Sequence, residues 1–336
     1  MFPRGGTDHR AGHRVDAPLR IGMIAPPWYT VPPRGYGGTE AVVAALVDQL
    51  VARGHHVTLV AAGPPGTAAQ RYVAVFDEPP SDLLGRDIGP ELVCAAEAQR
   101  VLSELDLDLV HDHCSAGPLA ASGRSCPTVV TMHGQVHGHN GDYYRRLGRT
   151  VQMVAISRAQ RRQAPDLNWV ATVMNAVDVG SFPYRSQKSD ELLWLGRFSP
   201  DKGAHLALEV ARRAGRRIVL AGKLNEPGEK SYFEDQVRPL LGPKADYVGE
   251  ADATLKRELF ASAAALVFPI QWEEPFGMVL AESLACGTPV VATPRGSVPE
   301  IVRHGRTGFL ANDLDALVAA VHRVSEIDPA ACRADA

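Results

Sequence analysis

Short apolar segments rich in β-branched residues alternate with segments of helical period along most of the chain. This alternation is typical of a parallel β-sheet covered by helices on both faces. In the first half, the pattern predicts strands at Arg20–Ala25, His56–Ala61, Leu107–His111, Thr128–Met132 and Gln152–Ala155. It predicts helices between them at about Gly38–Arg53, Pro90–Leu105 and Ser157–Gln163.

The alternation stops at a polar stretch near residue 180 and then resumes. The second half has predicted strands at Glu191–Leu195, Arg217–Ala221, Ala245–Gly249, Ala264–Phe268 and Pro289–Ala292. Its predicted helices are Gly203–Ala214, Tyr232–Leu241, Asp252–Ser262 and Gly277–Ala285. The expected fold class is α/β, with two Rossmann-like domains that face each other across a cleft.

These patterns also divide the chain into segments. Residues 1–19 lack an apolar run and are expected to form a disordered leader rather than a signal peptide. A first domain over 20–176, a linker over 177–190, a second domain over 191–325 and a tail over 326–336 should follow. Because parallel sheets bind ligands beyond the carboxyl ends of their strands, functional residues should lie in βα loops of both domains.

Composition and charge exclude several classes of protein. Hydrophobic residues make up 45% and charged residues 22% of the chain, as in soluble globular proteins. Residues 1–175 contain equal numbers of arginine and acidic residues and no lysine, which argues against nucleic acid as a partner. The cysteines are scattered, which favours a reduced, cytoplasmic protein.

A glycine-rich loop, PPWYTVPPRGYGGTE, precedes the first predicted helix. Its Gly37 and Gly38 would allow helix-start amides to approach a phosphate or sugar oxygens. The loop does not match the dinucleotide fingerprint, because Glu40 stands where a third glycine is needed. A flexible turn without a ligand is the alternative.

Two basic residues, Arg197 and Lys202, bracket the loop between the first strand and the first helix of the second half. A cation at a helix start opposes the helix dipole unless an anion lies between them. A diphosphate would satisfy both side chains together with the helix amides. A solvated surface pair is the alternative.

Two carboxylates, Glu274 and Glu282, flank the start of an apolar helix in WEEPFGMVLAE. A carboxylate inside a hydrophobic helix needs hydrogen-bond donors, and vicinal sugar hydroxyls supply them. Hydrolytic acid/base chemistry is another use of paired carboxylates, and Glu282 at the solvent edge of the helix is the structural alternative.

Histidines cluster in the first half at His111, His113, His133, His137 and His139. Their spacing fits no zinc template, so no metal is expected. His133 ends a predicted strand, and a neutral imidazole facing a substrate hydroxyl is the expected role.

Taken together, these motifs resemble family 4 of the retaining glycosyltransferases, which have the GT-B architecture. The resemblance covers residues 20 to about 325, and the chain is similar in particular to compact bacterial members of the family. It depends on an ordered set of motifs: GYGGTE (35–40), VHDH (110–113), TMHG (131–134), AISR (155–158), VMNAVD (173–178), LGRFSPDKG (195–203) and the Glu274–Glu282 spacing. One position departs from the family pattern, because Ala176 stands where glycine is usual. The 326–336 tail is expected to lack the final crossover helix that the resemblance implies.

The resemblance implies a role for each matching residue. Arg197 and Lys202 would hold the diphosphate of a nucleotide-sugar donor, and Glu282 would bind the ribose. The donor sugar would be held by Glu274, by the amides of Phe276, Gly277 and Met278, and by His133. Gly37 and Gly38 would line the phosphate or acceptor side.

The resemblance also implies carbohydrate biosynthesis by metal-independent transfer with retention of anomeric configuration. The expected co-substrate is a nucleoside-diphosphate sugar, by default a UDP-sugar, and no further cofactor is expected. The acceptor would be a small molecule, an oligosaccharide or a lipid-linked sugar. A nucleotide-sugar 2-epimerase of the same fold and a non-catalytic nucleotide-sugar binder are the alternative functions.

One arginine cluster stands apart from these motifs. Six arginines and no acidic residue lie from Arg145 to Arg162. Such a segment could contact an anionic membrane peripherally, although a solvated helix face is the simpler interpretation.

Overall fold

A computed structural model describes residues 17–336 of the chain. Most of the predicted leader therefore lies outside the described residues. No helix among residues 17–336 combines the length and the apolar character needed to cross a membrane.

The first domain contains a seven-stranded, wholly parallel sheet. Its strands are β1 (Arg20–Ile24), β2 (His56–Ala61), β3 (Arg71–Ala74), β4 (Leu109–Asp112), β5 (Thr128–Met132), β6 (Val151–Ala155) and β7 (Trp169–Thr172). The α-helices are α1 (Gly38–Ala52), α2 (Gly89–Leu102), α3 (Gly138–Leu147) and α4 (Arg158–Gln163). The strand order β3-β2-β1-β4-β5-β6-β7 reverses at β1, where a Rossmann-like sheet binds its ligand.

The second domain repeats this topology with a six-stranded parallel sheet in the order β10-β9-β8-β11-β12-β13. The strands are β8 (Leu192–Leu195), β9 (Ile218–Ala221), β10 (Ala245–Tyr247), β11 (Ala265–Phe268), β12 (Val290–Ala292) and β13 (Gly308–Leu310). The α-helices are α5 (Ala204–Arg213), α6 (Pro227–Tyr232), α7 (Ala253–Ser262), α8 (Met278–Ala285), α9 (Val298–Ile301), α10 (Leu314–His322) and α11 (Pro329–Asp335).

Burial explains why the central segments become strands. Every residue of β11 and β12 is buried, and so are the last four residues of β1. Strands that are apolar on both sides are stable only between two layers of helices. The second domain has one extensive apolar core, which includes Trp194, Phe198, Phe233 and Phe260 at no more than 2% exposure.

Most predicted elements lie where the sequence placed them, but the helix predicted at Tyr232–Leu241 was wrong. The α-helix α6 begins earlier, at Pro227, because Glu226 and Glu229 form a reciprocal capping box at its start. Residues Phe233–Val237 then form a π-helical turn and Arg238–Leu240 a 3-10 turn. Pro239, which has no amide hydrogen to donate, lies in this last turn.

The two sheets are joined by the interval between Thr172 and Leu192, where the linker was predicted. Its side chains are anchored to the second domain, because Lys188 Nζ donates to the carbonyls of Ala261 and Cys286. In the predicted tail, α11 packs against α8, and Arg333 donates to the carbonyl of Phe182 at 2.8 Å. The bounds assigned to the domains stay a prediction.

Candidate active site

A cavity of about 510 Å³ lies between the two domains, at the carboxyl ends of strands from both sheets. Every residue predicted for the site lines this one cavity: Gly37, Gly38, His133, Arg197, Lys202, Glu274, Phe276, Gly277, Met278 and Glu282. Gly37 and Glu282, which are 245 positions apart in the sequence, are therefore brought together by the fold. Their individual roles stay predictions.

The glycine-rich loop closes the cavity from the first domain. Gly37 precedes α1 with φ of 143°, and a Cβ there would lie 2.7 Å from Pro33 Cβ, so no other residue fits without a shift. A Cβ on Gly38 would lie 3.7 Å from Met278 Cγ in the second domain. The Tyr36 amide donates to Glu250 Oε1 at 2.9 Å. This loop therefore bridges the two domains.

The two predicted cations occupy the loop after β8. Lys202 Nζ lies 2.5 Å from Glu274 Oε2 and 4.8 Å from the centre of the Trp272 ring. Arg197 is more exposed, and its Nε lies 4.0 Å from Glu229 Oε1. Gly203, with φ of 72°, turns the chain from this loop into α5. The geometry excludes a solvated surface pair for Lys202, whose side chain is only 17% exposed.

The carboxylate of Glu274 is held at the entrance to α8. Its Oε2 also accepts from Trp272 Nε1 at 3.0 Å. Gly277 takes φ of 80°, which glycine adopts without strain, and the amides at the start of α8 follow directly. The Ser297 amide donates to the Glu274 carbonyl at 2.9 Å, so a neighbouring loop fixes this backbone.

The second carboxylate, Glu282, is also buried, with 6% exposure. It therefore does not lie at the solvent edge of its helix. Lys256 Nζ on α7 lies 2.5 Å from Glu282 Oε1. The ion pair orients the carboxylate while its other oxygen can accept a hydrogen bond from a ligand.

Sequence reasoning missed several cavity residues, notably Lys223, Lys256, Trp28 and Glu91. Lys223 is fully buried, pairs with Glu226 at 2.6 Å and lies 5.4 Å from the Tyr36 ring centre. A lysine at the end of an apolar strand was the available signal, because the LAGK segment places it at the carboxyl end of β9.

Three histidines of the first domain stack beside the cavity. His113 Nδ1 and His133 Nε2 are 2.8 Å apart, and His111 Nε2 lies 2.8 Å from Thr131 Oγ1. Burial lowers the pKa of His133 to about 4, and the neighbouring His111 adds to this effect. His133 is therefore neutral at physiological pH and can exchange hydrogen bonds with a hydroxyl without carrying charge.

Glu40 lies at the start of α1 and is 3% exposed. Burial raises the pKa of its carboxyl group to about 7. Among residues 17–336, no three histidine, cysteine or acidic side chains are grouped so as to hold a metal ion.

None of the six arginines of the cluster lines the cavity, and ion pairs partly neutralise their charge. Arg145 Nε lies 2.6 Å from Asp166 Oδ2, and Arg145 also pairs with Asp142. Arg162 lies 3.9 Å from Glu300. Membrane contact through this face stays a prediction.

Two facing Rossmann-like domains with a basic, carboxylate-bearing cleft between them are typical of GT-B glycosyltransferases. The family model for glycosyl transferases group 1 matches residues 182–334, and that for glycosyltransferase family 4 matches residues 36–179. The chain therefore belongs to the family 4, group 1 glycosyltransferases. It is an enzyme that transfers a glycosyl group.

Among curated proteins, the chain is similar to glycogen synthase of Mycobacterium tuberculosis, with 27% identity over 94% of this chain and 88% of the relative. It is 26% identical to phosphatidyl-myo-inositol mannosyltransferase of Mycolicibacterium smegmatis, over 92% and 86% of the two chains. Among solved structures, AviGT4, a glycosyltransferase involved in avilamycin A biosynthesis, has a TM-score of 0.70 and 29% identity, covering 95% and 92%. Anabaena Alr3699/HepE, solved with UDP and glucose, shares the fold with a TM-score of 0.73 at 17% identity, covering 94% of each chain.

Proposed function

We propose that this enzyme binds a nucleoside-diphosphate sugar on its second domain and transfers the sugar, with retention, to an acceptor hydroxyl presented by the first domain. The observation that carries the proposal is the convergence of Arg197 and Lys202 with the N-terminus of α8 on one cavity. Two cations and a helix start together suit a diphosphate.

Each part of the donor has a candidate partner. Glu282, held by Lys256, would accept hydrogen bonds from the ribose hydroxyls. Glu274, with the amides of Phe276, Gly277 and Met278, would hold the sugar. Glu274 Oε2 is engaged by Lys202 and Trp272, so Oε1 is the oxygen suited to a sugar hydroxyl.

The same residues would stabilise the transition state. As the bond between the anomeric carbon and the phosphate oxygen breaks, negative charge develops on the departing diphosphate. Arg197, Lys202 and the positive end of the α8 dipole are placed to stabilise that charge. The acceptor oxygen then bonds to the anomeric carbon on the same face, and its proton passes to the departing phosphate oxygen.

The neutral imidazole of His133 suits this mechanism. It lies on the wall formed by the first domain, where it can form a hydrogen bond with the transferred sugar without adding positive charge. Closure of the two domains around the cavity would limit hydrolysis of the donor by water.

UDP is the first nucleotide to test, because UDP-sugars are common donors among the proteins that this chain resembles.

The five free cysteines, of which four are buried, support the proposal of a cytoplasmic enzyme.

The test is a thermal-shift panel of nucleoside diphosphates and their sugars on the full chain, with Arg197→Ala and Glu282→Ala. One nucleotide at about 100 times its Kd should add about 2.7 kcal/mol to the free energy of unfolding. Both variants should lose this shift, and kcat/KM should fall by about 100-fold or more. Arg217→Ala is the matched control, because Arg217 is exposed and pairs with Glu191 and Asp246. A wild-type shift that survives in Arg197→Ala would contradict the proposed donor site.

A further inference from the structure

The wall of the cavity formed by the first domain contains a buried pair that the donor does not require. Trp28 and Glu91 are 7% and 6% exposed, and Trp28 Nε1 donates to Glu91 Oε1 at 3.1 Å. The pair joins the loop after β1 to the first turn of α2, and both residues line the cavity. It lies on the domain expected to present the acceptor.

Only one oxygen of this carboxylate is satisfied. Glu91 Oε2 is buried and has no hydrogen-bond partner within the described chain. The neighbouring cavity residue His113 likewise has a buried Nε2 without a partner. Buried polar atoms are normally hydrogen-bonded, so unpaired atoms beside a cavity point to a ligand that supplies the missing bonds.

The charges that line the cavity are divided between the domains. Its basic side chains, Arg197, Lys202, Lys223 and Lys256, all come from the second domain. Among the described residues, the wall formed by the first domain carries no lysine or arginine and contains the carboxylates of Glu40 and Glu91. The wall formed by the second domain, here called the donor wall, therefore suits a diphosphate. The wall formed by the first domain, here called the acceptor wall, offers an anionic group no cation to pair with.

We infer that the acceptor is a neutral, hydroxyl-rich molecule, a sugar residue or polyol, and that Glu91 selects it by accepting a hydrogen bond from one of its hydroxyls. The inference rests on the proposed function, since it assigns the acceptor of the same reaction. A carboxylate accepts bonds from hydroxyl donors, and it repels a phosphate or carboxylate brought against it. The first turn of α2 supports the charge of Glu91, because helix starts favour anions.

The test compares matched acceptors in a coupled assay of nucleotide release with product detection by mass spectrometry. The pairs are glucose with glucose 6-phosphate, myo-inositol with inositol 1-phosphate, and methyl glucoside with methyl glucuronide, supplemented by a panel of neutral oligosaccharides. We expect transfer to neutral members, with kcat/KM at least tenfold above that of the anionic partner in each accepted pair.

The variant Glu91→Gln keeps an oxygen that can accept from Trp28 but replaces the other oxygen with a donor. It should raise KM for the neutral acceptor by about 10-fold or more, with a smaller change in kcat, as expected for lost acceptor binding. It should also reduce the preference for neutral over anionic acceptors by at least about fivefold, because the repulsion is gone. A purely structural role for Glu91 would not change that ratio. Glu97→Gln, on the exposed face of the same helix, is the matched control.

Two results would overturn the inference: transfer that favours the anionic member of a pair, or failure to glycosylate any neutral acceptor. An unchanged ratio of kcat/KM between neutral and anionic acceptors in Glu91→Gln would show that Glu91 does not select the acceptor. Failure of the donor site appears separately, as the absence of a thermal shift with every nucleotide.

Discussion

At the scale of single residues, the donor wall is built from buried carboxylates that each have a lysine partner. Glu274 and Glu282 are both 6% exposed, and Lys202 and Lys256 lie 2.5 Å from one oxygen of each. Buried ion pairs contribute little net stability, because desolvation offsets the attraction. Here each lysine holds its carboxylate at one position, so that the second oxygen can accept a hydrogen bond, which the proposed function assigns to the donor.

The partly buried His111 predicts how the stability of the protein depends on pH. Burial lowers the pKa of His111 to about 4, so the folded protein resists protonating it. The stability that His111 contributes is present above its ordinary pKa of about 6.5 and is lost as the pH falls towards 4. At about 1.4 kcal/mol per pKa unit, the loss is about 3 kcal/mol.

Urea unfolding at a series of pH values checks this prediction. His111→Gln can keep the bond to Thr131, and its free energy of unfolding should fall by about 3 kcal/mol less than that of the wild type between pH 6.5 and 4. Burial raises the pKa values of Glu40 and Asp112, so these groups stabilise the folded protein as the pH falls. Their effect is the same in wild type and variant and therefore cancels when the two are compared. His139→Gln, an exposed change on α3, is the control. Equal pH dependence in wild type and His111→Gln would show that the pKa of His111 is the same in the folded and the unfolded protein.

The site residues that the sequence revealed differ in kind from those it concealed. Arg197, Lys202, Glu274 and Glu282 lie within short motifs at βα junctions, so local spacing marked them. Lys256 is 26 residues from its partner Glu282, and Glu91 is 63 residues from Trp28. Such pairs exist only through the order of strands in the sheet, which local patterns do not contain.

At the scale of elements, a loop after β12 fixes the loop that carries Glu274. Gly296 has φ of 59°, and a Cβ there would lie 2.2 Å from the Glu274 carbonyl oxygen and 2.4 Å from the Glu274 amide nitrogen. Its own amide donates to Glu273 Oε2 at 2.8 Å. The close approach of these two loops therefore requires glycine.

Gly296→Ala should displace Glu274 together with its partner Lys202, which is proposed to hold the diphosphate, and so remove the thermal shift with the donor nucleotide. Gly305→Ala is the matched control, because Gly305 has φ of 77° but no atom of residues 17–336 lies within 4 Å of an added Cβ. Both changes should lower the free energy of unfolding by about 1–2 kcal/mol, because alanine is strained in the left-handed conformation. Gly296→Ala should lower it by about 1–3 kcal/mol more, because the added Cβ overpacks the contact with Glu274. Thermal unfolding with and without nucleotide measures both effects. Equal loss of stability and of nucleotide shift in the two variants would contradict this account of Gly296.

The strands that the sequence failed to predict lie at the sheet edges. The edge strands β3 and β7 contain no fully buried residue, so they lack the apolar run that marks a central strand. In the second sheet, the edge strand β13 has only three residues and begins with Gly308, where a Cβ would lie 2.0 Å from the Val290 carbonyl oxygen. Central strands were predictable because they are buried on both faces, whereas edge strands depend on the neighbour they join.

At the scale of the whole molecule, the domains meet through a small apolar cluster and a few polar contacts. The cluster joins Ile156 of the first domain to Phe276 and Ala281 of the second. Glu300 of α9 accepts from the backbone amides of Arg158 and Ala159 at 2.9 and 2.6 Å. These amides begin α4, so the carboxylate satisfies donors that the helix itself leaves unpaired.

This junction separates donor binding from transfer. The proposed donor contacts made by Arg197, Lys202, Glu274 and Glu282 belong to the second domain alone, whereas transfer also needs the acceptor wall of the first domain. We therefore predict that Glu300→Ala lowers kcat by about tenfold, because catalysis depends on holding the reactants in register. The Kd for the donor nucleotide should stay within about twofold of the wild-type value, since no contact of Glu300 reaches the donor residues.

Steady-state kinetics and calorimetric titration of the nucleotide measure the two quantities, and small-angle scattering should show a larger radius of gyration for Glu300→Ala. Glu326→Ala is the control, because within the described part of the chain Glu326 forms an ion pair only with Arg323, on the surface of the same domain. Parallel losses of kcat and nucleotide affinity would mean that the first domain also shapes the donor site. In that case the Tyr36–Glu250 contact, which ties the glycine-rich loop to the second domain, would be the connection responsible.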